Sequence, residues 1–168
     1  MAPAAAQQQQ NNDSSSIIKY EAMFETIDQD PDGKKFDRVS RFVCRSTPYG
    51  DSELTLDVNV DVYPIDIGAK FTYVLASTLN TDGSPEDPTT YDQSKKESLA
   101  DEYEYVMHGK CYKKTEEDDA GAAEKTATYI SFGGLLACVK TDAKASTVWP
   151  FTFNLYWFFC VIVPSSRA

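Results

Sequence analysis

The sequence predicts an all-β fold, a single antiparallel barrel, on three observations. Apolar and polar residues alternate along several segments, most regularly from Leu54 to Val62. Glycine, proline and aspartate separate these segments, as expected for turns. No segment shows the period of an amphipathic helix, so strand follows strand and antiparallel pairing is expected.

Composition divides the chain of 168 residues into three parts. Residues 1–19 are rich in Gln, Asn and Ser, and we predict a disordered tail because so few apolar side chains cannot offset the entropy of ordering. Residues 20–147 contain the predicted barrel, with a mobile loop at 80–98 that has almost no apolar side chains. Residues 148–168 form an apolar C-terminal tail.

The first half of the barrel contains a predicted turn at Asp30 to Gly33. The run from Asp28 to Gly33 has the D-x-D-x-D-G opening of a calcium-binding loop, but Val39 occupies the position that should supply a bidentate Glu. A turn that leads into a strand therefore explains the run better. Three strands are predicted in this half: Phe36 to Arg45, Glu53 to Tyr63 and Lys70 to Leu79.

The second half, from Ser98 to Leu136, is predicted to form two strands joined by a wide hairpin. One face of the first strand is formed by Tyr103, Tyr105 and Met107. Gly109 interrupts this strand and Gly133-Gly134 interrupts its partner, which predicts bulges or bends where the sheet curls. Two bent strands favour a small barrel.

Several long motifs follow one another in the order found in one known family. They are Asp30 to Arg41, Leu56 to Val60 with Tyr63-Pro64, Lys70 to Leu79, Leu99 to Lys110 and Ser131 to Leu136. With these motifs the chain, from about Met23 to Leu136, resembles the small OB-fold subunit shared by nuclear RNA polymerases I, II and III. The resemblance implies an OB-like barrel with Greek-key connections.

The same resemblance implies a function. The family's barrel is a non-catalytic subunit of DNA-directed RNA polymerases I, II and III. It serves as an assembly module that docks on the largest subunits during DNA-templated transcription. The expected location is the nucleus, including the nucleolus, and the expected chemistry belongs to the large polymerase subunits. No cofactor is implied.

A cluster of basic residues is the candidate site. Its members are Lys34, Lys35, Arg38, Arg41 and Arg45, opposed only by Asp37 in a chain with a formal net charge of −10. One interpretation is a charged edge strand that resists pairing with other chains. The other is a strip that follows phosphates, which the resemblance supports as a contact with single-stranded DNA regardless of sequence. Because the chain is acidic, any such contact must be local.

Two aromatic residues lie within this basic cluster. Phe36 and Phe42 could stack on bases, as aromatic residues of OB folds do, and packing in the core is their other use.

Residues with catalytic or metal chemistry are sparse. His108 is the one histidine, without a serine or cysteine motif near it, and the sequence has neither a phosphate-binding loop nor a Cys/His cluster. The four cysteines lie far apart without C-x-x-C spacing, which is typical of reduced thiols in a cytosolic or nuclear protein. We therefore predict no catalytic, cofactor-binding or metal site.

Two features depart from the family. The first strand is shortened, because only four residues separate Glu25 from the turn at Asp30, and we expect this strand to pair poorly. After Leu136 the family's closing strand is replaced by the apolar tail.

Three interpretations of the tail stay open. As a membrane helix its sixteen residues reach only about 24 Å, and Pro150, Thr152 and Asn154 weaken it further, so we expect no membrane partner. As a replacement strand, Phe151, Phe153 and Leu155 alternate with polar residues, but Trp157 to Val163 does not alternate, so pairing should be incomplete. As an altered transcript or gene-model product, the tail has no evolved role.

Two other classes of protein remain as alternatives to a polymerase subunit. The runner-up is a free-standing OB-fold protein that binds single-stranded nucleic acid, and the third is a tail-anchored membrane protein. Fractionation by native size and by membrane pelleting distinguishes the three.

Overall fold

A computed structural model describes residues 17–47, 50–81, 97–117, 124–142 and 157–164, with the backbone alone for Lys19, Glu117 and residues 157–164. The described part contains eight strands and one short 3-10 helix, Leu99–Glu102. The strands are β1 (Ile18–Gln29), β2 (Val39–Ser46), β3 (Glu53–Asn59), β4 (Lys70–Ala76), β5 (Tyr105–Glu117), β6 (Lys125–Phe132), β7 (Leu135–Asp142) and β8 (Trp157–Pro164).

The strands form a closed barrel in the order β1-β2-β3-β7-β6-β5-β8-β4, and every pairing is antiparallel. Two successive Greek keys build it, because β4 returns beside β1 and β8 returns beside β5. The β3–β7 and β4–β8 pairings join the two keys. The predicted all-β, antiparallel Greek-key barrel is confirmed, with eight strands where a simple OB fold has about five.

The core follows from alternation along the strands. In β2, Phe42 and Cys44 are fully buried, while Arg41 before them and Arg45 after them point outward. The rings of Phe24 and Tyr73 meet edge to face with centroids 6.0 Å apart at 90°. Other fully buried side chains come from both Greek keys: Leu54, Leu56, Val58, Leu75 and Ile130. Each such residue contributes about 1.5–3 kcal/mol through burial.

The first strand is longer than the sequence indicated. β1 begins at Ile18 and pairs with both β2 and β4, so the expectation of a shortened, poorly paired strand is wrong. The boundary of the N-terminal tail at residue 19 is also too late, because Ile17 is already buried. The strand gains length from residues before Met23 and absorbs a β-bulge at Ile27, where Thr26 faces Cys44 and Asp28 faces Val43. Residues 1–16 lie outside the described ranges.

The predicted turn at Asp30 to Gly33 is confirmed. The N–H of Gly33 donates to the carbonyl of Asp30 at 2.9 Å, which closes a β-turn. Asp30 itself has a left-handed φ of 48°. Its position is fixed because its N–H donates to the Arg41 carbonyl at 2.7 Å and its carboxylate accepts the Arg41 N–H at 2.9 Å.

The predicted hairpin of the second half is present as β5 and β6, with different details. The strand begins at Tyr105, not Ser98, because the 3-10 helix comes first and is capped by the Asp101 carboxylate, which accepts the Ser98 N–H at 3.0 Å. Gly109 marks a close approach, since a Cβ there would collide with Ser131 and Phe132 of β6.

Gly133-Gly134 does not bend a strand. It forms the two-residue turn between β6 and β7, with φ of +62° and +98°, values that glycine adopts readily. The bulge in β5 falls at Tyr112, three residues after Gly109. The first strand of each Greek key therefore carries a bulge where it pairs with the second strand, at Ile27 and at Tyr112, and β1 has a further register shift between Ile18 and Tyr20 in its pairing with β4.

The C-terminal segment corrects a prediction. The sequence predicts incomplete pairing for Trp157 to Val163, but β8 pairs with β4 from Phe71 to Ala76 and with β5 from Tyr105 to Lys110. Backbone pairing to two neighbours does not require alternating side chains, which is why the pattern misled. The barrel accordingly extends beyond residue 147 into the tail. The proposed strand at Phe151 to Leu155 lies outside the described residues, as does most of the loop at 80–98, whose ends meet in an Asn80–Ser98 bridge.

Candidate nucleic-acid interface

The basic cluster lies at one end of the barrel and on the outer face of β2. Lys34 and Lys35 are exposed in the β1–β2 loop, and Arg38 is exposed directly before β2 begins. Arg41 and Arg45 point outward from β2 because they alternate with the buried Phe42 and Cys44. The fold thus brings all five members to one side of the first Greek key.

Arg41 is bound within the barrel. Its Nε and Nη2 donate to the two carboxylate oxygens of Asp57 on β3 at 2.7 and 3.1 Å, a bidentate pair. This hydrogen bonding raises the pKa of Arg41, against the effect of burial. The Asp57 side chain is only 11% exposed and also accepts the Leu136 N–H of β7 at 3.1 Å. Arg41 and Asp57 therefore connect three strands and are structural.

Arg38 and Arg45 also have acidic partners. Arg38 lies 3.4 Å from Asp61, and Arg45 lies 3.6 Å from Glu53, in pairs whose side chains are largely exposed. The sequence indicated Asp37 alone as the opposing charge, whereas the fold places three further carboxylates across from the arginines. Two of these carboxylates could have been found from the sequence, because Glu53 and Asp57 alternate with the buried leucines of β3 and therefore lie on its outward face.

After these pairings, Lys34 and Lys35 form no ion pair with any residue that the structure describes. Phe36 beside them is 68% exposed, whereas Phe42 is fully buried in the core. Stacking on a base is therefore excluded for Phe42 and open to Phe36. A small pocket of about 50 Å³ next to Phe36 is lined by the turn, by Val39 and by the Arg41–Asp57 pair.

The other reactive groups that the structure describes do not form a site. His108 is exposed on β5, and Cys44 and Cys138 are buried thiols. Burial raises the pKa of Cys44 to about 11, while its contact with the Thr26 hydroxyl, 3.8 Å away, lowers it. Within the described ranges, no group of three or more His, Cys, Asp or Glu side chains is placed to hold a metal ion.

No helix in the described part of the chain is long and apolar enough to cross a membrane.

The fold and its surface define a class, a small closed Greek-key barrel whose outer face carries paired charges. The family model described as RNA polymerase Rpb8 matches residues 21–159. The chain belongs to this family. The match continues into β8, whereas the motifs in the sequence place the end of the resemblance at Leu136, which is too early.

Three relatives show how closely the chain follows the family. It is 47% identical over 127 residues to DNA-directed RNA polymerases II, IV and V subunit 8B of Arabidopsis thaliana, covering 76% of this chain and 84% of the relative. DNA-directed RNA polymerases I, II, and III subunit rpabc3 of Dictyostelium discoideum is 46% identical over 127 residues, 76% and 85% of the two chains. The Saccharomyces cerevisiae subunit RPABC3 is 33% identical over 123 residues, 70% and 80% of the two chains.

Proposed function

We propose that this chain is a non-catalytic, structural subunit of DNA-directed RNA polymerases I, II and III. It docks on the largest subunit of each enzyme and works in the nucleus, including the nucleolus. The observation that carries the proposal is the family match over residues 21–159, which spans nearly the whole barrel. The Dictyostelium discoideum relative, named as a subunit of polymerases I, II and III, supports the same assignment.

The contacts of the barrel support a structural role. The buried carboxylate of Asp57 is used to hold Arg41 and the backbone of β7. Thr26, a buried hydroxyl, contacts the Cys44 thiol. Because these polar groups are satisfied inside the barrel, we assign the chemistry of RNA synthesis to other subunits of the complex.

Native size fractionation of cell extract tests the proposal. An epitope-tagged full-length chain should elute at the mass of a polymerase, together with the largest subunits. When it is expressed at the native level, all of the tagged chain should elute at that position. Elution near 18.7 kDa would favour a free-standing single-strand binder instead. Recovery in the membrane pellet would favour the tail-anchored alternative.

A second candidate function is a weak contact with single-stranded DNA through the basic cluster. The observation that favours it is the exposed Phe36 beside Lys34 and Lys35, which have no ionic partner among the described residues. The three arginines contribute less, because each already pairs with a carboxylate. The contact should therefore be weaker than five free cations would give.

A further inference from the structure

Exposed apolar side chains are concentrated at one end of the barrel. In the described part of the chain the large apolar residues that are exposed are Met23, Ile27, Phe36, Val62, Ile67 and Tyr112. Four of them belong to the end of β1, the β1–β2 loop and the β3–β4 connection, and we name these four the apolar tip: Ile27, Phe36, Val62 and Ile67. Their exposed fractions run from 47% to 68%.

Backbone hydrogen bonds bring the two isoleucines together. The N–H of Thr26 donates to the Ala69 carbonyl at 3.0 Å, and the N–H of Gly68 donates to the Thr26 carbonyl at 2.7 Å. Ile27 follows Thr26 and Ile67 precedes Gly68, so the two isoleucine side chains leave neighbouring points of the backbone. The bulge at Ile27 places it on the outer side of the strand.

The other two members are joined across the neighbouring loop. Arg38 pairs with Asp61 at 3.4 Å, and its carbonyl accepts the Val60 N–H at 2.9 Å. Phe36 and Val62 flank this junction in sequence. The tip thus extends over the ends of four adjacent strands, β4-β1-β2-β3, a width of about 15 Å at the usual strand spacing.

The loop that carries Phe36 is anchored at both ends, at Asp30 and at the Arg38 carbonyl, which accepts the Val60 N–H. Three hydrogen bonds fix Asp30 between the turn and Arg41 of β2, at 2.7, 2.9 and 2.9 Å. Phe36 lies between these two anchored points and is 68% exposed. Clustered exposed apolar side chains of this kind mark interaction surfaces, because single scattered ones would need no partner.

Charge around the tip indicates the kind of partner. Residues 27–38 and 60–69 contain six aspartates and three basic side chains, a formal charge of −3. The net negative charge disfavours a phosphate backbone across the whole tip and confines any single-strand contact to Lys34 and Lys35, whereas a protein with lysine or arginine around an apolar centre would be attracted. Protein interfaces commonly have such an apolar core and a polar rim.

We propose that the apolar tip is the surface by which this barrel docks on the largest polymerase subunit, against an apolar patch bordered by basic side chains. The inference rests on the proposed function and names the part of the barrel that performs it. The tip supplies the apolar centre of the interface, and Asp32 and Asp66 belong to its acidic rim.

Two variants of the tagged full-length chain test the proposal in cell extract. The first is Phe36→Ser with Ile67→Ser, in which both positions are exposed and outside the strands. We expect recovery of the largest polymerase subunits to fall at least tenfold while the thermal midpoint of the purified chain stays unchanged. Tyr112→Ser is the matched control, since Tyr112 is 58% exposed in the other Greek key and should leave recovery unchanged.

The second variant reverses charge at the rim, Asp32→Lys with Asp66→Lys, and does not depend on apolar packing. Recovery should again fall severalfold. Asp142→Lys should not lower it, because Asp142 ends β7 beside the start of β3, at the opposite end of the barrel from the tip. The inference would be overturned if the serine variant recovered as much of the largest polymerase subunits as the wild-type chain does. Loss of dT oligonucleotide binding in that same variant would then assign the tip to nucleic acid. If the wild-type chain itself recovers no polymerase, the proposed function fails, which the wild-type sample alone reveals.

Discussion

Removing the Asp57 carboxylate should weaken the seam between the two Greek keys. In Asp57→Ala the Arg41 guanidinium loses a bidentate partner, and the Leu136 N–H loses its acceptor. Hydrogen bonds to charged groups contribute about 1.5–3 kcal/mol, and an orphaned buried donor costs about 1–3 kcal/mol. Because the Arg41 side chain is 39% exposed, water replaces part of the loss, so we expect the free energy of unfolding to fall by about 2–4 kcal/mol.

Urea denaturation of the purified chain measures this difference. Arg41→Met keeps the aliphatic stem and should cost about 1–2 kcal/mol, because Asp57 retains the Leu136 N–H. The double variant, Asp57→Ala with Arg41→Met, should show a coupling free energy of about 1 kcal/mol between residues 41 and 57. The control is Glu53→Gln, which breaks an exposed 3.6 Å pair with Arg45 and should cost less than about 0.5 kcal/mol.

The comparison within one strand makes the test decisive. Both acids lie on β3 and both face an arginine of β2, so they differ chiefly in burial and in the bond to Leu136. Equal costs for Asp57→Ala and Glu53→Gln would refute the structural role of the buried pair. Arg41 would then count as a cation that is available to contact phosphate.

Further expected results concern Gly109, the thiols and the two lysines. Gly109→Val should lower the free energy of unfolding by about 2–3 kcal/mol, because the added side chain meets β6, and a thermal midpoint within 1–2 °C of wild type would contradict the close approach. With its pKa raised to about 11, folded Cys44 should be about one part in a thousand thiolate at pH 8 and should resist alkylation until urea unfolds the chain; rapid labelling in the native state would contradict its burial. Lys34→Glu with Lys35→Glu should abolish binding to dT oligonucleotide, whose wild-type log–log salt slope should be about −1.4 for two contacts, and unchanged affinity would return the cluster to edge protection.

The parts of the fold that alternation determines could be predicted from the sequence. Leu54, Leu56 and Val58 alternate with polar residues, and all three are fully buried in β3. The turn at Asp30 to Gly33 was equally predictable, because its proline, aspartate and glycine each favour a turn position. These features depend on neighbours in sequence.

The features that depend on register could not be predicted. Arg41 meets Asp57 only because β2 and β3 pair with Val39 opposite Asn59, and the chain alone does not fix that offset. The sequence accordingly predicts a site of five cations opposed by Asp37 alone, whereas the fold pairs three of the five with other carboxylates. The closing strand was missed for a related reason: its apolar run lacks a period, and only its two neighbours, β4 and β5, define it.

RNA synthesis by the recovered complex tests the central claim most directly. The tagged full-length chain, expressed at its native level, is affinity purified and given a DNA template with labelled nucleoside triphosphates. We predict template-dependent RNA synthesis in the recovered material, with the largest polymerase subunits present, and none from the chain purified alone. Quantitative recovery of the chain without polymerase subunits and without RNA synthesis would contradict its assignment as a polymerase subunit.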